Sequence, residues 1–356
     1  MNNKITQQQL LARFDEQGMA YHVLPLQNGV SIVVSQYGGR IYGPFLSEDS
    51  GSVFWIPAMF ASTEAYAAFL GSGDWNVGGD RIWIAPEIQY NVTDRRDYWN
   101  SYDLPPQVDP GRYQMVQLPS GQITLTQEMT LQAYNTAEGQ KKLHLRRLIR
   151  PAADPLRKLD CYDDLVTDVL FAGYEQVTTM SEAETDDIVS EVWSLIQLNP
   201  GGELLIPATP RVEYSDYYEP LDEAVQTIYP NHVRLKITGD RRYKVGYKAA
   251  QVFGRLGYYN LLEDGRAYLA VRNFFNNPSM PYGEEPADVP GRQGHSIHVY
   301  NDDGAIGGFG ELEVSGQTIG GESGNSTVTD HLPLWLYVGS AEQVKEIAVH
   351  LLGIEV

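Results

Sequence analysis

Two carboxylates one residue apart are the sharpest chemical signal in this chain. They lie in Gly308-Phe-Gly-Glu-Leu-Glu-Val314. On a strand, side chains alternate, so Glu311 and Glu313 share one face while Leu312 and Val314 take the other, which should be the core. Carboxylates spaced roughly 6 to 7 Å apart along a strand can push one pKa up and suit that group to general acid or base work. An exposed polar strand face is the commoner origin of such a pair. A second concentration lies in GDWNVGGDRIWIAPE, residues 73–87, which puts Trp75, Asp80, Arg81, Trp83 and Glu87 beside three glycines. That mixture can stack on a sugar face and hydrogen-bond its hydroxyls. Its structural alternative is an Asp80–Arg81 pair, core tryptophans and glycines that only allow a tight turn.

Other residues invite weaker readings. Arg146, Arg147 and Arg150 in KKLHLRRLIRP form the only marked basic run, able to hold a carboxylate, sulfate or phosphate of an acidic sugar, or simply to make internal salt bridges. Tyr214, Tyr217 and Tyr218 cluster in a chain with 23 tyrosines, which suits sugar stacking, a tyrosine base or plain strand packing. Asn301, Asp302 and Asp303 lack the spacing of a calcium loop and read as a hairpin turn.

The composition narrows the partners. The chain has 356 residues and a formal net charge of −20, a field that DNA or an anionic membrane would have to approach against. The expected partners therefore include no nucleic acid and no membrane. The single cysteine, Cys161, can form no intrachain disulfide and no cysteine metal cage. No cofactor and no metal are assigned. The opening MNNKITQQQLLARFDEQG has no apolar secretory core, and no run reaches the length of a membrane span, so a cytoplasmic location is expected.

Strand and turn signals dominate the elements that must position these residues. Thr6 to Gln17 reads as an amphipathic helix with Thr6 as N-cap and Gly18 as its stop, and Ser62 to Leu70 as a second, Ser-capped helix. HVLPL and VSIVVS flank Asn28-Gly29 as a hairpin, and GGRIYGPF follows as a strand. Further strands are read in YQMVQL, QITLTQEMTLQAY, KKLHLRRLIRP, YEQVTTM, EVWSLIQL, ELLIPA, HVRLKIT, RRYKVGY, VFGRLGYYNLL, RAYLAVRNFF, HSIHVYN and GFGELEV. Residues 316–330 read as a surface loop, and Ser340 with Gln343 as the capping box of a last helix from Ala341 to Leu351. Fifteen or more strands without a βαβ alternation predict packed antiparallel sheets, an all-β sandwich. The expected organisation is one domain over 1–356, with residues 1–18 and 340–352 as flanking helices.

HSIHVYNDDGAIGGFGELEV resembles the C-terminal hairpin of the galactose mutarotase (aldose 1-epimerase) superfamily, in which a Val-Tyr strand precedes the strand carrying a base glutamate. GGDRIWIAPE is similar to the Gly-Gly-x-Pro segment of mutarotase-like hexose-phosphate epimerases, and WSLIQLNPGG to their mid-chain strand ending in Asn-Leu. YKVGYKAAQVFGRLGYYNLLEDGRAYLAVRNF resembles a Lys-x-Gly, Gly-Tyr, turn, strand pattern of bacterial mutarotase-like domains. The order of these short motifs, from about residue 20 to 340, marks the chain as similar to a divergent bacterial member. The resemblance implies a β-supersandwich with a sugar in a concave groove, Glu313 as base, and a histidine that donates to the ring oxygen.

One departure is plain. The histidine of the mid-chain strand falls at Trp193, and no histidine lies between His22 and His144. Replacement acids are His298, His295, His144 or Asp80, with His298 preferred because alternation with Ile297 and Val299 turns it to the polar face. The expected catalytic set is Glu313, Glu311 and His298. The expected substrate contacts are Asp80, Arg81, Trp83, Glu87, Trp193, Gln197 and Arg147. Three activities fit: an aldose 1-epimerase-like isomerase, a non-catalytic carbohydrate-binding or sensing protein, and a lyase or hydrolase acting on an oligosaccharide.

Overall fold

In the computed structural model, residues 4–184 and 186–356 are described. Their strands form two large antiparallel sheets. The first has nine strands, in spatial order Tyr21–Pro25, Ser31–Ser35, Ile41–Phe45, Asp80–Ala85, Ser190–Leu198, Gly310–Ile319, His295–Asn301, Tyr243–Lys248 and Tyr214–Asp216. The second has ten, among them the long strands Ile123–Ala133, Gly139–Pro151, Leu170–Glu182 and Thr327–Gly339. Alternation explains how the two pack. Ile82, Ile84, Val192, Ile196, Leu312, Val314, Ile297, Val299 and Val245 leave the first sheet on one face and meet Leu125, Leu145, Leu204, Leu256, Tyr268 and Leu334 of the second in a shared core.

Helices cover part of each outer face. The N-terminal helix Gln7–Glu16 begins at Thr6 with the expected capping box, reciprocated by Gln9. With the helix Thr63–Ser72, capped by Ser62, it lays Leu10, Phe14 and Tyr66 on Val33 and Tyr42 at one end of the nine-stranded sheet. The helix Ala341–Leu352 starts at Ser340 with its Gln343 box and buries Val344, Ile347 and Leu351 on the outer face of the ten-stranded sheet. Over the rest of the outer face of the nine-stranded sheet, loops and the short helix Tyr98–Ser101 form the walls.

The fold thus matches the all-β sandwich read from the sequence, with one correction to its elements. The stretch 316–330 is not a surface loop: the strand Gly310–Ile319 runs through its first part and Thr327–Gly339 begins before its end, leaving only 320–326 between them. Gly316 sits at a register shift after Ser315, where Asp330 receives the Gln317 N–H at 3.0 Å. The small polar residues there serve a bulge and its cap. Among the described residues no helix is long and apolar enough to cross a membrane.

Candidate active site

Five strands of the nine-stranded sheet place their alternate residues on the uncovered face. Cross-strand pairing sets the rows: Arg81 lies opposite Leu195, which lies opposite Glu313, which lies opposite His298. The next row runs Gln197, Glu311, Tyr300, Lys244. Trp83 pairs with Trp193 one step further along. Because side chains on one face of neighbouring strands stand side by side, residues as distant in sequence as Arg81, Lys244 and Glu313 share one floor.

Three loops raise walls around it. In the first, Gly78 and Gly79 adopt φ of +82° and +83°, and a Cβ there would lie 2.9 Å from the Trp55 carbonyl oxygen and 2.8 Å from that of Ile41, respectively. Only glycine fits that close approach. Buried Arg40 then holds the loop by donating to the Gly78 carbonyl at 2.7 Å and the Trp75 carbonyl at 3.2 Å. Asp109 neutralises Arg40 at 2.5 Å and accepts the Trp83 indole N–H at 2.9 Å. The second wall is the segment with Tyr98, Trp99 and Tyr102, where Trp99 is 56% exposed. The third is the turn after His295–Asn301, in which Asp302 Oδ2 accepts the N–H groups of Gly304, Ile306 and Gly308 at 3.0, 3.2 and 2.8 Å. Asn76 donates across to the Ile306 carbonyl at 3.0 Å, tying the third wall to the first.

The open-mouthed cavity between these walls measures about 280 Å³. Its apolar surfaces are Trp75, Trp83, Trp99, Trp193, Tyr98, Tyr218 and Phe309, and its polar groups are Arg81, Glu87, Lys244, Glu311, Glu313 and buried Asp302, with Arg242 exposed at the rim. Four of the six tryptophans in the chain face one space. Arg81 stacks between Trp83 and Trp75, its guanidinium carbon 4.5 and 5.3 Å from the ring centroids, and donates to Glu311 at 2.8 Å. Gln197 donates to the same Glu311 oxygen at 2.9 Å. Lys244 Nζ rests 4.6 Å from the Trp193 ring centroid, 2.5 Å from Glu87 Oε2 and 3.5 Å from Glu284 Oε1. Tyr102 donates to the other Glu87 oxygen at 3.1 Å.

Glu313 differs from its neighbours. Only 1% exposed, it has an Oε2 that is buried without a hydrogen-bond partner. Burial is the largest influence and pushes its carboxyl well above the ordinary carboxylate range; Lys244 opposes this, Glu311 and Glu87 add to it, and Arg81 opposes it. For Lys244, burial alone would lower the pKa, but Glu87, Glu284 and Glu313 outweigh it and raise the ammonium well above its usual value. Burial pushes the Glu284 carboxyl to about 7, against the pull of Lys244.

The residues expected from the sequence divide accordingly. Arg81, Trp83, Glu87, Trp193, Glu311 and Glu313 are brought together on the cavity wall. Gln197 is not among the residues lining it; fully buried, it holds Glu311 and Asn76. His298 lies on the same sheet face beside Glu313 but is fully buried and not among the residues lining the cavity, with Nε2 bonded to the Tyr217 hydroxyl at 3.0 Å. Burial, with Lys244 and His295 nearby, drives its pKa well below the ordinary histidine value, so the ring is neutral and ill-suited to donate a proton. Asp80 faces the opposite way: between the sheets it accepts from Tyr174 at 2.6 Å, Gln176 at 2.7 Å and Arg272 at 2.5 Å. Arg147 is also buried away from the groove, donating to the Gly39 carbonyl and to Gln176, and Arg150 pairs with Glu175. Asp80 and Arg147 are therefore structural. Sequence reasoning missed Lys244, Trp99 and Arg242 altogether. The alternation in RRYKVGY, which puts Lys244 between two core-facing positions, was the available signal. Among the described residues no group of three or more His, Cys, Asp or Glu is placed to hold a metal ion.

No curated protein matches the chain in sequence. Among solved structures, it is similar to a galactose mutarotase-like protein from Lactobacillus casei, at 11% identity and a TM-score of 0.43 over 90% of this chain and 100% of the other. A galactose mutarotase related enzyme from Lactobacillus acidophilus has 7% identity and a TM-score of 0.44 over 90% and 98%. A 4-alpha-glucanotransferase from Thermococcus litoralis has 10% identity and a TM-score of 0.40 over 92% of this chain but 38% of its own. At the level of sequence, a family model covers residues 15–356. The chain belongs to that family, DUF6786, a family of unknown function.

Proposed function

We propose that the groove binds a sugar and that the chain is a carbohydrate-active protein of aldose 1-epimerase type, with Glu313 as the group that exchanges a proton with the anomeric hydroxyl. The observation that carries this reading is the pairing of an unpartnered, buried carboxyl with a cavity walled by aromatic faces. A pyranose has apolar C–H faces and an equatorial rim of hydroxyls, so it pairs with stacked rings and with convergent donors and acceptors. Trp75, Trp83, Trp99 and Trp193 supply the rings, and Arg81, Glu87, Lys244 and Glu311 supply the polar contacts. Glu311, neutralised by Arg81 and oriented by Gln197, is fitted to accept hydroxyl protons rather than to move one. Glu313, with no fixed partner, is free to take a proton and return it.

Binding without turnover is the second reading, and it is favoured by the absence of histidine among the residues that line the cavity. Both readings require sugar in this groove. The indole N–H resonances of the tryptophans test that requirement during titration with D-glucose, D-galactose and D-glucuronate. The expected result is movement of the Trp75, Trp83, Trp99 and Trp193 signals while Trp335, in the separate core under the C-terminal helix, stays still. Stationary signals for all four with every sugar would sink both readings.

A further inference from the structure

Opening a pyranose needs a proton at the ring oxygen as well as a base at the anomeric hydroxyl, and histidine is absent from the cavity lining. Resting on the sugar-groove reading, we propose that Lys244 is the catalytic proton donor to the ring oxygen. Of the other proton-bearing groups on the wall, Arg81, Tyr102, Tyr300 and Arg242 are set aside by chemistry, commitment or exposure, while the Tyr98 and Tyr218 hydroxyls are uncommitted neutral donors that lack the charge of an ammonium. Arg81 is buried, stacked on Trp83 and bound to Glu311, and a guanidinium hydrogen-bonds but does not release its proton. Tyr102 is committed to Glu87 and Tyr300 to Asp302, at 3.1 and 3.2 Å. Arg242 sits exposed at the rim, its guanidinium carbon 4.6 Å from the Trp99 ring centroid.

Lys244 is held differently. The faces of Trp193 and Tyr217 lie 4.6 and 5.0 Å from Nζ, fixing the cation from the protein side. One of its three N–H groups goes to Glu87 at 2.5 Å, and Glu284 stands at 3.5 Å, so the ammonium retains donor capacity toward the cavity it lines. Lys244 lies on the strand next to that of Glu311 and Glu313 but one, across from Tyr300. Base and donor thus rise from two different strands of one floor.

The step balances. Glu313 carboxylate takes the proton of O1–H, the C1–O1 bond becomes a carbonyl, the C1–O5 bond breaks, and its electron pair takes a proton from Lys244 Nζ. The released alkoxide is more basic than an ordinary amine, which favours the transfer, while the carboxylates that raise the Lys244 pKa oppose it. Reclosure on the other face of the aldehyde returns the O5 proton to Lys244 and the Glu313 proton to O1, and both groups regain their starting states. Glu87 and Glu284 stabilise the ammonium between turns.

The test compares anomeric exchange by NMR, on D-glucose, D-galactose and D-glucuronate, for the wild type, Lys244→Met, Lys244→Arg, Tyr218→Phe and Glu313→Gln, with tryptophan fluorescence reporting sugar binding. Lys244→Met is expected to lose the acceleration by about 10²-fold or more, with Lys244→Arg equally slow because it keeps the charge without a releasable proton, while both still bind. Should Lys244→Met not fold, Lys244→Arg carries the comparison, since it leaves no carboxylate uncompensated. Wild-type exchange retained in Lys244→Met or Lys244→Arg but lost in Glu313→Gln would overturn the role of Lys244 and leave the epimerase reading standing, as would a loss confined to Tyr218→Phe. No acceleration of any sugar by the wild type would overturn both.

Discussion

Glu311 and Glu313 stand two residues apart on one strand face, yet their surroundings set them different tasks. Glu311 is bound by Arg81 and Gln197, whereas Glu313 is buried without a fixed partner and has its carboxyl pushed up by that burial. Since Arg81 is one of the two cations that draw the Glu313 pKa down, removing it should raise that pKa further. A base works when ionised, so the rising limb of the pH–rate profile in Arg81→Gln should move upward, by about 1 pH unit. A limb that stays in place would show that another group supplies the base. Strand alternation made the shared face of the two glutamates legible in the sequence, and the same rule would have excluded Asp80. A residue adjacent to Arg81 on a strand cannot share its face, and Asp80 indeed binds Arg272 between the sheets. Lys244 was not legible as a site residue because its partner Glu87, at the start of the short helix after the strand Asp80–Ala85, lies 157 residues away in sequence.

At the scale of elements, the groove depends on loops anchored by single buried side chains. Asp302 organises the turn that presents Ile306 and Phe309, through three backbone N–H groups. Asp302→Ala would leave those donors without their acceptor and should cost about 1–3 kcal/mol in denaturant unfolding, together with weakened sugar binding read by tryptophan fluorescence. Unchanged binding would mean the wall is not part of the site. The sequence marked this segment as a turn because Asn-Asp-Asp-Gly favours one, and it marked the helices through their caps. It concealed the start of Thr327–Gly339, where Thr327, Thr329 and His331 alternate with Val328, Asp330 and Leu332 and resemble loop composition. Those polar residues are one face of a strand paired along Leu170–Glu182. Pro333, within the pairing, further weakened the strand signal.

For the whole molecule, the sandwich buries several carboxyls whose protonation couples to folding. Burial pushes Glu191, Glu284 and Asp330 each to about 7. A carboxyl whose folded pKa exceeds its unfolded value binds the extra proton in the folded state. The stability it contributes is full below the ordinary carboxylate range and is lost as pH rises through about 7. The melting temperature should therefore fall between about pH 5 and pH 8, and Glu191→Gln should flatten that fall. A melting temperature that climbs over this range would contradict the assignment. The two-sheet architecture itself was legible from strand count and the lack of βαβ alternation, because each strand carries its own turn signals. Which face of which sheet remained open was not, since it is decided by where three helices dock.

The central claim is that Glu313 moves a proton on a sugar held in this groove. Anomeric exchange measured by NMR on D-glucose, D-galactose and D-glucuronate, with wild type beside Glu313→Gln, tests it most directly. The account predicts faster exchange of at least one sugar with the wild type and loss of that acceleration by about 10²-fold or more in Glu313→Gln, with binding retained. Equal acceleration by both proteins would contradict it.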